Sequence, residues 1–357
     1  MSNSKVVRLG TRASALATTQ SNTVAQALEV AAASAGVPLD VELVEVRTRG
    51  DVDPTSLARL GGVGVFAAAL RESLLAGACD LAVHSCKDLP TAPAPGLTVA
   101  AVPQREDPRD ALCLSPELVA RGVPGLEALP LGARVGTGSP RRAAQLLALR
   151  PDLELVDLRG NVPTRLSRVV GSVVSADGPM GASREPDLDA VVLALAGLRR
   201  LGLEAYATLV LAATPEQAEA TGAPLMLPAP AQGALAVECR AEVAEQMPSL
   251  ATALAVLDDP VTRAAVTAER ALLAGLQAGC AAPVGALARM VDGALRLDAV
   301  VVSPEGARQV SVREFGEPAA AKALGLRAAE SLLAQGAGQI ADLRAIKSPA
   351  AGPREPA

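Results

Sequence analysis

The chain has 357 residues, half of them hydrophobic, with only three aromatic side chains and a formal net charge of −5. That length exceeds one ordinary core and predicts two or three domains of roughly 150 residues each. An acidic balance with so few aromatics excludes an ordinary nucleic-acid surface, and no apolar run approaches the ~20 residues that span a bilayer.

Met1–Val7 lacks the apolar segment of a secretion signal, so a soluble, cytoplasmic protein is expected. The five cysteines (Cys79, Cys86, Cys113, Cys239, Cys280) are odd in number, widely spaced and free of any Cys-x-x-Cys pair. That pattern speaks against a disulfide framework and against a zinc site. The single histidine, His84, also argues against a histidine-based metal centre or a Ser-His-Asp triad. No metal is expected.

In chain order, Val6–Leu9 reads as a strand, and Ser14–Ala35 as a helix stopped by Gly36 and Pro38. Val41–Val46 follows as a strand. Val65–Ala76 is a helix with Phe66, Leu70 and Leu74 four apart on one face. Strands at Leu81 and at Leu97–Val102 complete a βαβ rhythm, which predicts a mainly parallel, doubly wound sheet. A second α/β unit begins near Asp107–Asp110, with strands at Ala111–Leu114, Arg134–Gly136, Leu153–Val156 and Leu188–Leu195. Gly171–Pro186, rich in Gly, Ser, Pro and charge, reads as a surface loop.

After Leu227–Pro230 the pattern changes. Asp259-Pro260 supplies an N-cap and a first-turn proline for a helix through Leu276. Val284–Met290 and Ala294–Val302 flank the hairpin signal Val291-Asp-Gly293. A strand at Val310–Arg313 and a helix at Pro318–Ala334 complete a small α+β domain with an antiparallel sheet. Ser348–Ala357 reads as a polar, disordered tail.

Two kinds of segment carry chemistry. The first is Asp80–Pro90, a short apolar strand that ends in His84, Ser85, Cys86, Lys87 and Asp88 just before Pro90. Lys87 is the only lysine between Lys5 and Lys322. A cation, a carboxylate and a hydroxyl at the C-terminal end of a parallel strand occupy the usual ligand crevice of open α/β sheets.

The second kind is a set of arginine-bearing turns read as lying just before helices: Thr11–Ser14, Gly136–Arg142, Arg159–Arg165 and Ala196–Arg200. Helix N-termini attract anions, and arginine forks add bidentate carboxylate binding. Four such turns over two α/β units point to a ligand with several carboxylates or phosphates in the cleft between the units. Net acidity does not oppose this, because screening confines the global field to about 8 Å. Cys280 sits in the irregular turn Ala278–Pro283, where a thiolate would be accessible and nucleophilic. Arg47–Gly64, glycine-bearing and long, suits a mobile lid over the crevice.

In order along the chain, Thr11-Arg12, Thr48–Asp51, Val83–Asp88, Arg105–Asp110, Arg141-Arg142, Leu158–Asn161, Gln232–Ala234 and Gly279-Cys280 resemble the motifs of the porphobilinogen deaminase (hydroxymethylbilane synthase) family. The match runs from about Val7 to Leu343. The resemblance implies two doubly wound domains like type II periplasmic binding proteins, plus a small α+β C-terminal domain with a three-stranded antiparallel sheet. It places domain 1 at 1–104 with 229–247, domain 2 at 105–228 and domain 3 at 248–347. It implies a cytoplasmic, monomeric transferase of tetrapyrrole (haem or related) biosynthesis, without nucleic-acid or membrane partners. Such an enzyme joins four porphobilinogen molecules head to tail, releases an ammonia at each step and hydrolyses off linear hydroxymethylbilane.

The cofactor implied is a dipyrromethane, held by a thioether that falls here on Cys280. Lys87, Ser85, Thr137, Ser139, Arg141 and Arg142 would bind the cofactor, and Arg12, Ser14, Gln20, Arg159, Arg165 and Arg200 the substrate, with Asp88 the catalytic carboxylate. Lys87 matches a carboxylate binder rather than a Schiff-base nucleophile. The sequence departs from the family pattern at Val63, where lysine is common, and at Ala231 and Ala278, which replace glycines. Gly171–Pro186 looks like an insertion. A rival of another class is a non-enzymatic two-lobe receptor for a small polycarboxylate anion. The missing export signal and the Cys280 loop count against it.

Overall fold

The computed structural model describes residues 5–46, 65–175, 185–279 and 281–344. The lid at 47–64 with Val63, the Phe66 side chain, residues 176–184 of the insertion, Cys280 and the tail at 348–357 lie outside the described residues.

The strands are β1 (Lys5–Thr11), β2 (Leu39–Glu45), β3 (Leu81–Ser85), β4 (Leu97–Ala101), β5 (Asp110–Leu114), β6 (Arg134–Gly136), β7 (Glu154–Val156), β8 (Ala190–Ala194), β9 (Leu209–Val210), β10 (Leu235–Arg240), β11 (Val284–Val291), β12 (Ala294–Val302) and β13 (Gln309–Gly316). They form two five-stranded sheets, ordered β2-β1-β3-β10-β4 and β7-β6-β8-β5-β9, and a three-stranded sheet β11-β12-β13. The first two repeat one plan: three parallel strands, then an antiparallel strand, then an edge strand. The antiparallel member arrives from the neighbouring lobe in both cases. β5 follows the chain out of the first sheet, and β10 follows its return from the second.

Burial in the second sheet shows why its strands read as unbroken apolar runs. Leu112, Ala190 and Val192 pack into one cluster, while Ala111, Cys113, Val191 and Leu193 pack into another. Successive strand residues point to opposite faces, so a sheet covered on both sides needs apolar residues at every position.

The first helix spans Ala15–Ser34, with Ser14 as N-cap accepting from Ala17 N at 3.4 Å. The helix Val65–Leu75 buries Leu70 and Leu74 on one face, as the spacing predicts. Asp259 caps the helix Pro260–Gly275 through Thr262 N at 2.7 Å, with Pro260 in its first turn. The β11–β12 hairpin turns on Asp292 and Gly293, both with positive φ (48° and 83°), as a two-residue hairpin requires. The third sheet is antiparallel throughout and shares its core with the helices Pro260–Gly275 and Ala321–Ala334.

Two differences from the sequence expectation bear on the site. The strand expected over Leu188–Leu195 is shorter, and Leu195 already opens a helix that runs to Arg200. β10 is a strand with no counterpart among the expected elements. It carries Glu238 in its centre, which is 2 % exposed. That carboxylate is compensated by Arg71, at 2.9–3.1 Å from the helix Val65–Leu75, and by His84 Nε2 at 3.1 Å from β3. Burial alone would raise the Glu238 pKa, but these two partners hold it below its ordinary value.

Candidate active site

Both crossing segments deliver their strands to the same kind of place. β10 begins beside the end of β3, with Leu235 opposite Ser85 and Cys86 N donating to Ala234 O at 3.0 Å. β5 begins opposite the end of β8, with Asp110 facing Ala194. The carboxyl ends of the central parallel strands are where open α/β sheets collect ligand groups.

β3 runs straight into a single 3-10 turn, Cys86–Asp88. Cys86 points inward and is buried, and burial pushes its thiol up to about 11. Lys87 is half-buried and Asp88 exposed. Lys87 Nζ donates to Gln232 Oε1 at 3.3 Å. Desolvation pulls its pKa down to about 8, opposed by the charge of Asp88 and assisted by Arg142 and Arg141.

The second sheet supplies the turn after β6. Gly136 and Gly138 are small by necessity, since a Cβ on Gly138 would lie 2.2 Å from Leu158 O. Ser139 caps the helix Pro140–Leu149 by accepting from Arg142 N at 3.5 Å, and Thr137 Oγ1 accepts from Ser139 N at 3.2 Å. Arg141 and Arg142 enter on the first turn of that helix and converge on Asp110, which is fully buried. Arg142 donates to Asp110 Oδ1 from Nε (3.0 Å) and Nη2 (2.7 Å), and to Val192 O from Nη1 at 3.0 Å. Arg141 Nη2 lies 2.8 Å from Asp110 Oδ2, and its Nη1 donates to Leu227 O at 2.8 Å. Burial alone would raise the Asp110 pKa, yet the two guanidiniums hold it at about 2.

Gln232 joins the two halves. Its Nε2 donates to Pro108 O at 2.7 Å and to Asp110 Oδ1 at 2.8 Å, while its Oε1 accepts from Lys87 and, at 3.5 Å, from Arg142. Lys87, Arg141 and Arg142 therefore form one array. The next residue, Gly233, has φ 87°, and a Cβ there would meet Glu106 O at 2.3 Å. Its carbonyl accepts from Arg200 Nη2 at 2.7 Å. Ala231 takes φ 63° with an L side chain, at the position where the family pattern has glycine.

The other expected residues are placed as follows. Gln20 Nε2 donates to Ser85 Oγ at 3.1 Å, tying the first helix to the end of β3. Arg12 is half-buried in the turn between β1 and that helix. Arg165 is held by its Nε donating to Gly160 O at 2.8 Å. Burial and the nearby Arg142 bring its pKa down to about 10, while Asp157 and Asp88 act the other way. Arg159 is exposed, 3.8 Å from Asp157.

Arg200 requires a correction. Ala196–Arg200 is not a turn preceding a helix: Leu195–Arg200 is the helix, and Arg200 sits in its last turn. There the helix dipole favours the cation itself rather than an anionic ligand, so Arg200 depends on its own charge to meet one.

Asp110 and Gln232 stand in the motifs Arg105–Asp110 and Gln232–Ala234, and their part in the array comes from the fold. Charge alternation in Arg105–Asp110 was the available signal. Among the described residues, no group of three or more His, Cys, Asp or Glu is placed to hold a metal ion, and no helix is long and apolar enough to cross a membrane.

Residues 7–247 match the family model described as porphobilinogen deaminase, dipyromethane cofactor binding domain, and residues 263–334 match that of the porphobilinogen deaminase C-terminal domain. The chain belongs to the porphobilinogen deaminase family. The porphobilinogen deaminase of Cutibacterium acnes is 52 % identical over 356 residues, covering 96 % of this chain and 98 % of its own. That of Leifsonia xyli subsp. xyli is 48 % identical, covering 96 % of each. Porphobilinogen deaminase 1 of Streptomyces coelicolor is 49 % identical, covering 96 % of this chain and 99 % of its own.

A solved TRAP periplasmic solute binding protein from Ralstonia eutropha H16 aligns with 71 % of this chain and 76 % of its own at 11 % identity and a TM-score of 0.35. The fold is defined by the three sheets described above. Family membership favours a transferase with a dipyrromethane cofactor over the receptor alternative.

Proposed function

We propose that the chain joins four porphobilinogen molecules head to tail, releasing one ammonia per unit and then linear hydroxymethylbilane by hydrolysis, on a dipyrromethane held by a thioether to Cys280. The observation that carries the reading is the crowding of cations beyond the ends of β3, β6 and β7. Lys87 and Arg165 are both lowered by burial and by neighbouring guanidinium charge, and among the described residues Arg141 Nε is buried without a hydrogen-bond partner. Such an array favours a ligand that brings several carboxylates, which a pyrrole bearing acetate and propionate groups does. The donor set thus fits the cofactor and the substrate alike.

When bound, the dipyrromethane supplies the pyrrole carbon on which the product grows. In this reading Lys87, Arg141 and Arg142, with Ser85, Thr137 and Ser139 beside them, hold its carboxylates. Arg12, Arg159, Arg165 and Arg200, with Ser14 and Gln20, serve the incoming porphobilinogen. Asp88 is exposed at the tip of its turn, and its charge reaches both Lys87 and Arg165. As the aminomethyl C–N bond of porphobilinogen breaks, nitrogen leaves with the bonding electrons and the ring becomes positive. A fixed carboxylate at that point lowers the barrier, and Asp88 can take the pyrrole N–H proton and return one to the departing amine.

The domain divisions at 1–104 with 229–247, 105–228 and 248–347, the monomeric state and a cytoplasmic location belong to the same proposal. Intact mass tests it. The protein supplied with porphobilinogen should carry an adduct of two pyrrole units, and Cys280→Ser should carry none. A folded wild-type chain of unmodified mass would defeat the reading.

A further inference from the structure

We propose that Arg270 is a positioning residue for this reaction: from the helix Pro260–Gly275 it fixes the Cys86–Pro90 turn, and through it Lys87 and Asp88. The inference rests on the assignment of Asp88 above.

A single 3-10 turn leaves its last carbonyls without intrahelical donors, and Pro90 cannot supply an N–H. Within the turn, Leu89 N donates to Cys86 O at 3.3 Å. Arg270 brings further donors to this segment from the helix Pro260–Gly275. Its Nη1 reaches Cys86 O at 3.2 Å and Leu89 O at 2.8 Å, and its Nη2 reaches Pro90 O at 2.6 Å. Three carbonyls on one arc suit a planar five-donor fork, and a lysine ammonium cannot span them.

The adjacent residue anchors the helix that carries Arg270. Glu269 is fully buried and takes Arg105 bidentately at 2.7 and 3.0 Å, Ala288 N at 2.8 Å, and Ala231 N. Arg105 and Ala231 belong to the two segments that cross between the α/β sheets, and Ala288 to β11. The turn is thus held by Ala234 O, ahead of β10, on one side and by a braced guanidinium on the other. A catalytic carboxylate on so short a turn has little rigidity of its own, and displacement by about 1 Å can cost around 100-fold in rate.

Arg270→Ala and Arg270→Lys holoenzymes, with the cofactor adduct checked by intact mass, test this in two ways. Hydrogen exchange at Lys87–Leu89 should accelerate about tenfold in Arg270→Ala while β3 stays protected. Turnover of porphobilinogen should fall about 10- to 100-fold with KM within threefold, and Arg270→Lys should recover only part of either effect. Unchanged exchange in the turn, turnover within twofold of wild type, or equal loss of protection across β3 and the turn would overturn the proposal. If Arg270→Ala does not fold, Arg270→Lys carries the same comparison. A wild type that does not consume porphobilinogen would defeat the functional reading, and the exchange arm would still decide whether Arg270 fixes the turn.

Discussion

Gln232 donates from Nε2 to Asp110 Oδ1 at 2.8 Å, joining the end of one interlobe crossing to the start of the strand that ends the other. The same amide accepts from Lys87 through Oε1 at 3.3 Å. Its carbonyl faces the cation and its NH2 faces the anion, so one neutral side chain links the β3 turn to the buried carboxylate of the second sheet. The position of Lys87 therefore depends on how the two sheets are joined.

Asp110→Asn tests how much the buried pair matters. The substitution leaves Arg141 and Arg142, which are 3 % and 5 % exposed, without a compensating charge. Breaking one side of a buried ion pair costs about 3–5 kcal/mol, and chemical denaturation should register a loss of that order. In the parent protein, the two guanidiniums hold Asp110 at about 2. Its contribution is therefore present above the ordinary aspartate range and lost as pH falls through about 2. A loss under about 1 kcal/mol would mean that the arginines find other partners.

Lys87 predicts an alkaline limb. Its protonated form binds carboxylate, and desolvation with neighbouring arginines places its pKa at about 8. As pH rises through that value and the grip on the cofactor's carboxylates weakens, kcat/KM for porphobilinogen should fall by up to about tenfold per pH unit. Lys87→Arg should remove the limb. Unliganded stability should move the other way: the unfolded chain binds more protons between about 8 and 10.5, so stability rises across that window. A pH profile unchanged in Lys87→Arg would refute the assignment.

Asp88→Asn preserves shape and removes charge. Loss of an oriented group that stabilises developing charge costs about 100- to 1000-fold in kcat, so single-turnover kinetics should show a drop of that size with KM changed only a few-fold. Turnover within tenfold of wild type would move the catalytic role elsewhere.

Much of the strand and helix alternation, the cap at Asp259 and the hairpin at Asp292-Gly293 are legible in the sequence, because each depends on neighbours within a few residues. It also singled out the Lys87-Asp88 turn, where polar chemistry abruptly ends an apolar strand. The fold alone puts Glu238 within an interior strand, brings Arg141 and Arg142 to Asp110, and carries Gln232 and Arg270 to the β3 turn. Those placements depend on burial and on partners more than 30 residues away in sequence. A charged side chain inside the fold is tolerable only once such a partner has arrived, and no local pattern announces which one it will be.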